Sequence, residues 1–170
     1  CTPNAQQTHI PDTGEEVLYA SRTIEIGEEI NDCYIDLRQS TAKRKRDLRE
    51  YYRFECTCDA CTRGDVNDDK WRERAKQFDE RVVEAVSEDG PEIAMEIAKD
   101  ALRLLKSDHC MKWSVRYLPD ALRTVSQLAS AIGDEKSSRE FADMAYDECL
   151  LLCGPRAPDT ASLKRKSNRI

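Results

Sequence analysis

Residues 56–61 read Cys-Thr-Cys-Asp-Ala-Cys, and this stretch determines how the first third of the chain is interpreted. Three thiolates this close together can bind one face of a zinc ion, which then requires a fourth ligand from elsewhere. The sequence contains no Asn-x-Ser/Thr sequon and no signal peptide is visible, so a metal site is favoured over disulfides. The competing interpretations are chance clustering of cysteines and a redox pair. The residues alone offer three candidates for the fourth ligand, which are Cys1, Cys33 and His9.

Composition indicates an acidic, helix-rich protein. The 170 residues include 27 Lys and Arg against 33 Asp and Glu, which gives a formal net charge of −6. Gly and Pro number six each, fewer than average usage would supply, and this favours helices. The acidic total argues against a general nucleic-acid binder. No apolar run approaches the roughly 18 residues that a membrane span needs.

The first part of the chain is predicted to combine two strands with a basic helix. Residues 17–20 and 30–35 have the apolar character of strands, while residues 11–14 and Gly27 mark turns. Residues 41–53 are predicted to form an amphipathic helix. Its basic residues are interpreted as a solvated face, with a patch for acidic partners as the alternative. The apolar side of this helix is predicted to carry Leu48, Tyr51 and Tyr52.

The second part of the chain is predicted to be entirely helical, after a polar hinge at residues 64–69. Apolar side chains recur at helical spacing in four stretches, and short loops favour antiparallel hairpins stacked as a helical repeat. These stretches begin near Trp71, Ile93, Leu118 and Phe141.

Three cysteines and a basic end complete this helical part. Cys110, Cys149 and Cys153 lack close metal-type partners and are predicted to be buried, inert thiols. Residues 164–170 contain four basic residues and no acidic one. They are interpreted as a basic tail or as a truncated further helix.

Four ordered elements within the first 63 residues match one known arrangement. They are Cys1-Thr2-Pro3-Asn4, the run Arg-Thr-Ile-Glu-Ile-Gly-Glu-Glu-Ile at residues 22–30, Tyr34, and Arg46-x-Leu48-x-x-x-Tyr52-x-Phe54-x-Cys56-x-Cys58-x-x-Cys61. Together they resemble the end of a SET domain and its post-SET zinc segment. The spacing resembles that of the SET-and-MYND (SMYD) group of protein-lysine methyltransferases.

The resemblance implies an α+β fold class. The end of a β-rich SET domain and a zinc-bound post-SET segment would be followed by an all-α domain of helical repeats, similar to tetratricopeptide (TPR) hairpins. The implied units are residues 1–40 (C-terminal part of the SET domain), 41–64 (post-SET helix and zinc cluster), 70–163 (helical-hairpin domain) and 164–170 (tail or truncated helix).

The resemblance also implies which residues bind zinc. Cys1 matches a cysteine that is similar in role to a fourth zinc ligand, beside the counterparts of Cys56, Cys58 and Cys61. On this interpretation zinc ties the segment after the helix to the SET part, and His9 is a surface residue.

Three aromatic residues match positions of the active site. Tyr34 matches the active-site tyrosine, whose phenol can orient a lysine amine by hydrogen bonding. Tyr52 resembles an aromatic wall of the lysine channel, and Phe54 resembles a residue that packs on the adenine of S-adenosyl-L-methionine. Tyr19 and Tyr51 have no such counterpart and are expected in the core.

The implied function is that of a fragment of an S-adenosylmethionine-dependent protein-lysine N-methyltransferase in the cytoplasm, the nucleus or both. Its substrate would be a histone or another protein with a target lysine. The chain starts at Cys1, and the Asn-His pair and glycine-rich loops that the group has upstream are absent from it, so we expect the fragment alone to be inactive. The alternative is a non-catalytic, zinc-stapled helical adaptor that binds protein partners. We expect neither a membrane nor a nucleic-acid partner.

Overall fold

The computed structural model describes residues 1–167 and their side chains, apart from those of Met111 and residues 165–167. The described chain is mostly helical and carries a small two-stranded sheet near its start. In order, the elements are β1 (Ala5–Ile10), β2 (Glu15–Ala20), α1 (Thr41–Tyr52), α2 (Asp59–Arg63), α3 (Val66–Glu88), α4 (Pro91–Leu105), α5 (Met111–Ser114), a 3₁₀ turn (Val115–Tyr117), α6 (Leu118–Ala131), α7 (Glu135–Cys153) and α8 (Pro158–Ser167).

Strands β1 and β2 form an antiparallel hairpin whose register runs from the pair Ala5 and Ala20 to the pair Ile10 and Glu15. The predicted turn at residues 11–14 closes it, and Gly14 donates a backbone hydrogen bond to Ile10 at 2.8 Å. Ala5 and Ile10 are buried at the two ends of β1. The predicted strand at residues 17–20 is therefore confirmed as part of β2, whereas β1 was not predicted.

The predicted strand at residues 30–35 is wrong, because this stretch has no regular secondary structure. Instead the backbone of Asn31 is bonded to residues at the start of the hairpin. The carbonyl of Asn31 accepts from the amides of Asn4 and Ala5 at 3.0 and 3.1 Å, and its amide donates to Oδ1 of Asn4 at 2.8 Å. Asn31 is thus held by one bond to a side chain and two backbone bonds to residues far away in the sequence, rather than by the ladder of a β-sheet.

Helix α1 begins after Ser40, whose side chain accepts a hydrogen bond from the amide of Lys43. The predicted amphipathic pattern is partly wrong. Leu48 is buried as expected, but Tyr51 is 73% exposed and therefore not in the core. Arg44 is fully buried rather than part of a solvated face, and its guanidinium donates to Thr41 Oγ1 at 3.0 Å.

We call helices α3 to α8 the helical body. It begins earlier than predicted, because α3 starts at Val66 and its first turn contains most of the hinge that was predicted at residues 64–69. The four predicted apolar stretches fall in α3, α4, α6 and α7. Sequential pairs pack together, namely α3 on α4, α4 on α6, α6 on α7 and α7 on α8. Helix α8 continues to Ser167, so the first part of the predicted tail is helical, while residues 168–170 lie outside the described residues.

The first 40 residues and the helical body share one core. Leu37 is 1% exposed and packs in the same cluster as Phe78, Trp113 and Leu122. Both strands of the hairpin also contact α7, and Arg156 pairs with Glu15 at 2.9 Å. None of the described helices is both long and apolar enough to cross a membrane.

Candidate functional site

The four cysteines Cys1, Cys56, Cys58 and Cys61 lie together. Their sulfur atoms are all within 4.8 Å of one another, and the sulfurs of Cys1 and Cys61 are 3.3 Å apart. A tetrahedron with Zn–S bonds of about 2.3 Å has edges of about 3.8 Å, which these separations bracket. All four residues are free thiols, so this group can hold a zinc ion.

The short helix α2 explains why two of these sulfurs meet. Cys58 is its N-cap, and the carbonyl of Cys58 accepts hydrogen bonds from the amides of Cys61 and Thr62, both at 2.9 Å. One helical turn therefore separates the side chains of Cys58 and Cys61. Gly64 ends the helix in a left-handed conformation, with φ of 58°, and releases the chain toward α3.

The thiols within the cluster affect one another's protonation. A hydrogen bond from the Cys61 thiol lowers the pKa of Cys58 to about 4, against the opposing effect of burial. The same bond and burial raise the pKa of the Cys61 thiol above its usual value. One thiolate in the cluster is thus favoured at neutral pH, and thiolates are the form that binds zinc.

The two other candidate ligands are engaged elsewhere. Cys33 donates a hydrogen bond from its thiol to the carbonyl of Ile35 at 2.8 Å. His9 is exposed on β1 and pairs with Glu16 at 2.7 Å. Among the remaining cysteines, Cys110 and Cys149 are buried as predicted, whereas Cys153 is half-buried.

The three predicted active-site aromatics also lie together. The rings of Tyr34 and Tyr52 meet edge to face with centroids 5.2 Å apart, and those of Tyr34 and Phe54 do so at 5.9 Å. The Tyr52 hydroxyl donates to the backbone carbonyl of Tyr34 at 2.8 Å. All three side chains are substantially exposed, at 57% for Tyr34, 45% for Tyr52 and 41% for Phe54. We call this group the aromatic cluster.

The end of α1 brings Phe54 to this cluster. Arg53 adopts a left-handed conformation with φ of 61°, and its amide donates to the carbonyl of Leu48. This turn reverses the chain after Tyr52, so that Phe54 faces Tyr34. Because Cys56 follows only two residues later, the aromatic cluster and the cysteine group are joined by a very short stretch of chain.

The buried side chain of Asn4 forms hydrogen bonds to the stretch at residues 28–31, which precedes Tyr34. The sequence did not predict this structural role. Asn4 is 1% exposed, and its amide donates to the carbonyl of Glu29 at 2.9 Å and to Glu28 at 3.0 Å. Bonds from Arg22, the Glu25 amide and Asn4 lower the pKa of Glu28 to about 2. A sequence signal for this contact was available, because Asn4 and Glu28 both lie in stretches that carry the SET resemblance, residues 1–4 and 22–30.

Comparison with known proteins places these features in context. No protein-family model matches the chain. Histone-lysine N-methyltransferase set5 of Schizosaccharomyces pombe is 40% identical over 62 residues, which are 36% of this chain and 19% of that protein. Histone-lysine N-methyltransferase SMYD3 of Homo sapiens is 42% identical over 53 residues, which are 31% of this chain and 12% of that protein.

A third relative has a similar name. N-lysine methyltransferase SMYD2-B of Danio rerio is 40% identical over 62 residues, which are 36% of this chain and 14% of that protein. This chain resembles the SET-domain protein-lysine methyltransferases. The SET resemblance drawn from the sequence is thereby confirmed, and the SET-like chain spans less than a fifth of the length of each of these three relatives.

Proposed function

We propose that this SET-like chain is the C-terminal part of an S-adenosylmethionine-dependent protein-lysine N-methyltransferase. The observation that carries the proposal is the aromatic cluster of Tyr34, Tyr52 and Phe54, beside a four-cysteine group in a chain similar to named lysine methyltransferases. We further propose the division into residues 1–40, 41–64, 70–163 and 164–170 that the sequence implied, with the helices of the third unit forming a TPR-like repeat.

In this proposal Tyr34 orients the substrate. When bound, S-adenosylmethionine supplies the methyl group on a sulfonium. Tyr34 is 57% exposed, so its hydroxyl can accept or donate a hydrogen bond at a lysine amine. A phenol suits this role, because its hydroxyl can donate or accept a hydrogen bond at the amine and is itself a poor nucleophile.

Tyr52 and Phe54 would form the walls of the site. Tyr52 uses its hydroxyl on the backbone of Tyr34, which leaves its ring edge and face for the lysine side chain. Aromatic walls exclude water and favour a methylammonium product through cation–π attraction. Phe54 would pack on the adenine of the cofactor. Its ring is 41% exposed, so it has free surface for such a contact.

We also propose that Cys1, Cys56, Cys58 and Cys61 bind one structural zinc ion. Four sulfur ligands close the tetrahedron and leave no position for a water or a substrate, which is typical of structural zinc sites. Bound there, zinc would fix the residues after α1 against the start of the chain. The aromatic cluster would gain rigidity, because Phe54 lies two residues before the first ligand of the loop.

The substrate would be a histone or another protein with a target lysine, acted on in the nucleus, the cytoplasm or both, since the named relatives are histone-lysine and protein-lysine methyltransferases. We expect the 170 residues alone to be inactive, because they span less than a fifth of those relatives.

The test compares methyl transfer by a longer form that includes the rest of the SET domain with transfer by its Tyr34→Phe variant. Labelled S-adenosylmethionine and a panel of histones and cell proteins would be the substrates. We expect Tyr34→Phe to lower kcat by about 100-fold, because a misplaced amine costs about that much. Tyr51→Phe is the matched control, since Tyr51 is on the same helix as Tyr52 but is 73% exposed. An equal loss of activity in Tyr34→Phe and Tyr51→Phe would contradict the proposal, and so would a longer form that transfers no methyl group.

A second candidate function is a non-catalytic adaptor. Helices α3, α4 and α6 enclose a groove of about 450 Å³ lined by apolar residues, with Arg38, Asp79, Asp120 and Arg123 among its charged lining residues. Such a groove suits a protein partner. Absence of methyl transfer from the longer form, together with an intact zinc site, would favour this candidate.

A further inference from the structure

The segment that carries Tyr34 is irregular, yet it is held from the helical body. Residues 30–35 have no regular secondary structure, and Asp36 and Leu37 follow directly. The Leu37 side chain is 1% exposed and lies in the core of the helical body. The position of Tyr34 therefore depends on what fixes the backbone two and three residues after it.

Tyr117 provides that attachment. It lies in the 3₁₀ turn before α6, and its hydroxyl makes two hydrogen bonds to the segment. The amide of Leu37 donates to the hydroxyl oxygen at 2.9 Å, and the hydroxyl donates to Oδ1 of Asp36, also at 2.9 Å. We call these two bonds the Tyr117 anchor. Arg72 from α3 donates to the carbonyl of Leu37, so both backbone groups of Leu37 are bonded to the helical body.

The charges around the Tyr117 anchor fix which group donates and which accepts in the hydrogen bond between Tyr117 and Asp36. Arg38 donates to Oδ1 of Asp36 at 3.1 Å, and its guanidinium lies over the Tyr117 ring at 4.7 Å. Burial tends to raise the pKa of Asp36, but the bonds from Arg38 and Tyr117 hold this pKa below its usual value. Burial and the Asp36 charge raise the pKa of Tyr117. Tyr117 therefore remains a donor and Asp36 an acceptor throughout the neutral pH range.

Tyr34 is held from its other side by α1. The Tyr52 hydroxyl bonds the Tyr34 carbonyl at 2.8 Å, so the peptide groups between Tyr34 and Leu37 lie between a tyrosine of α1 and a tyrosine of the helical body. A short irregular segment fixed at both ends has little freedom to move its side chain. Releasing one end permits the segment to shift, and Tyr34 shifts with it.

We propose that Tyr117 is a positioning residue, which fixes the phenol of Tyr34 in the aromatic cluster through its hydrogen bonds to Asp36 and Leu37. This proposal rests on the proposed function of Tyr34. It gives the helical body a direct part in the methyl-transfer site, since Tyr117 lies in the 3₁₀ turn before α6 and not in residues 1–63.

The test is Tyr117→Phe, which removes the hydroxyl and keeps the ring beneath Arg38 and against Trp113. In the 170-residue chain, hydrogen exchange of the Leu37 amide is expected to accelerate on the order of tenfold, with exchange in α4 and α7 unchanged.

Fluorine NMR of protein labelled with fluorotyrosine reports on Tyr34 itself. The signal of Tyr34, which is assigned by its disappearance in Tyr34→Phe, is expected to change its chemical shift in Tyr117→Phe. In the longer form, kcat is expected to fall on the order of tenfold with KM within about twofold. Tyr51→Phe should change none of these.

Each outcome decides the proposal. Faster exchange at Leu37 with an unshifted Tyr34 resonance and unchanged kcat would overturn it, because Tyr117 would then be only structural. If the unmodified longer form transfers no methyl group, the proposed function fails on its own, and the Tyr34 resonance still decides whether Tyr117 positions that side chain. If Tyr117→Phe does not fold, Asp36→Ala is the second variant, because it removes the acceptor of the bond that the Tyr117 hydroxyl donates. An unshifted Tyr34 fluorine signal in Asp36→Ala would then mean that the proposal is wrong.

Discussion

Arg53 shows how one backbone conformation builds a site. Among the described residues it is the one non-glycine with positive φ, and it ends α1 where most helices of this kind use glycine. A left-handed conformation costs a residue with a Cβ roughly 1–2 kcal/mol. The strained residue lies where the chain reverses direction, which brings Phe54 against Tyr34. Backbone strain of this kind is often found at functional positions.

Replacing Arg53 tests this cost directly. We expect Arg53→Gly to stabilise the chain by about 0.5 kcal/mol, because relief of the left-handed strain exceeds the added entropy of the unfolded glycine. Urea unfolding measures the difference. Gly64→Ala is the matched reverse change, at φ of 58° with no atom near the new Cβ, and should destabilise by about 1 kcal/mol. A loss of stability in Arg53→Gly would mean that the Arg53 side chain itself contributes.

At the scale of elements, much of the helical body could be predicted from periodicity alone. The four apolar stretches correspond to α3, α4, α6 and α7, because long amphipathic helices repeat their pattern over many turns. The stretch at residues 30–35 could not be predicted in this way. Its apolar residues are typical of a strand, but the amide of Asn31 donates to the side chain of Asn4, a contact across 27 residues that no local pattern encodes.

The residues that the SET resemblance implied for the site do lie together in the structure. The four cysteines form one group and the three aromatic residues form another, while their roles stay predictions. Tyr117 gave no signal in the sequence, because a single tyrosine before a helix has no motif and its two partners lie 80 and 81 residues away along the chain. The buried state of Arg44 was equally hidden, since it stands in a run of four cations at residues 43–46 and nothing in that run marks one of them as buried.

Contact between the hairpin and α7 depends on Gly154. This residue has φ of 77°, and a Cβ there would lie 2.0 Å from Cζ of Tyr19 on β2. We expect Gly154→Ala to destabilise the chain by about 2–3 kcal/mol, from backbone strain and from the clash together. Denaturant unfolding is the measurement. Gly133→Ala is the control, because its φ is 79° but no atom lies within 4 Å of the new Cβ.

A double variant separates the two causes. If the clash matters, Tyr19→Ala and Gly154→Ala together should cost less than the sum of the single changes, because the alanine at position 19 leaves room for the new Cβ. Simple additivity would mean that backbone strain at Gly154 accounts for the whole effect and that the ring of Tyr19 moves aside freely.

At the scale of the whole molecule, several contacts join the SET-like part, residues 1–63, to the helices. The Thr41 amide donates to Asp69 of α3 at 2.7 Å, and two further attachments lie elsewhere. One is the buried segment around Leu37, bonded by Tyr117 and Arg72. The other is the hairpin against α7, with Arg156 paired to Glu15. The cysteine group links two stretches within the SET-like part, since Cys1 lies at its beginning and Cys56, Cys58 and Cys61 at its end. Metal binding should therefore order that part without being required by the helical body.

Zinc content is the measurement that separates these roles. We expect about one zinc per chain, and its loss in Cys58→Ser, because three thiolates hold zinc far less tightly than four. Removing zinc with a chelator should speed hydrogen exchange in residues 1–4 and 54–63, while α4, α6 and α7 keep their protection. The matched control is Cys33→Ser, since the Cys33 thiol bonds the carbonyl of Ile35 and a serine hydroxyl can replace it. Zinc retained in Cys58→Ser, or lost in Cys33→Ser, would contradict the four-cysteine site. Unfolding of the whole chain on chelation would show that the helical body depends on the metal after all.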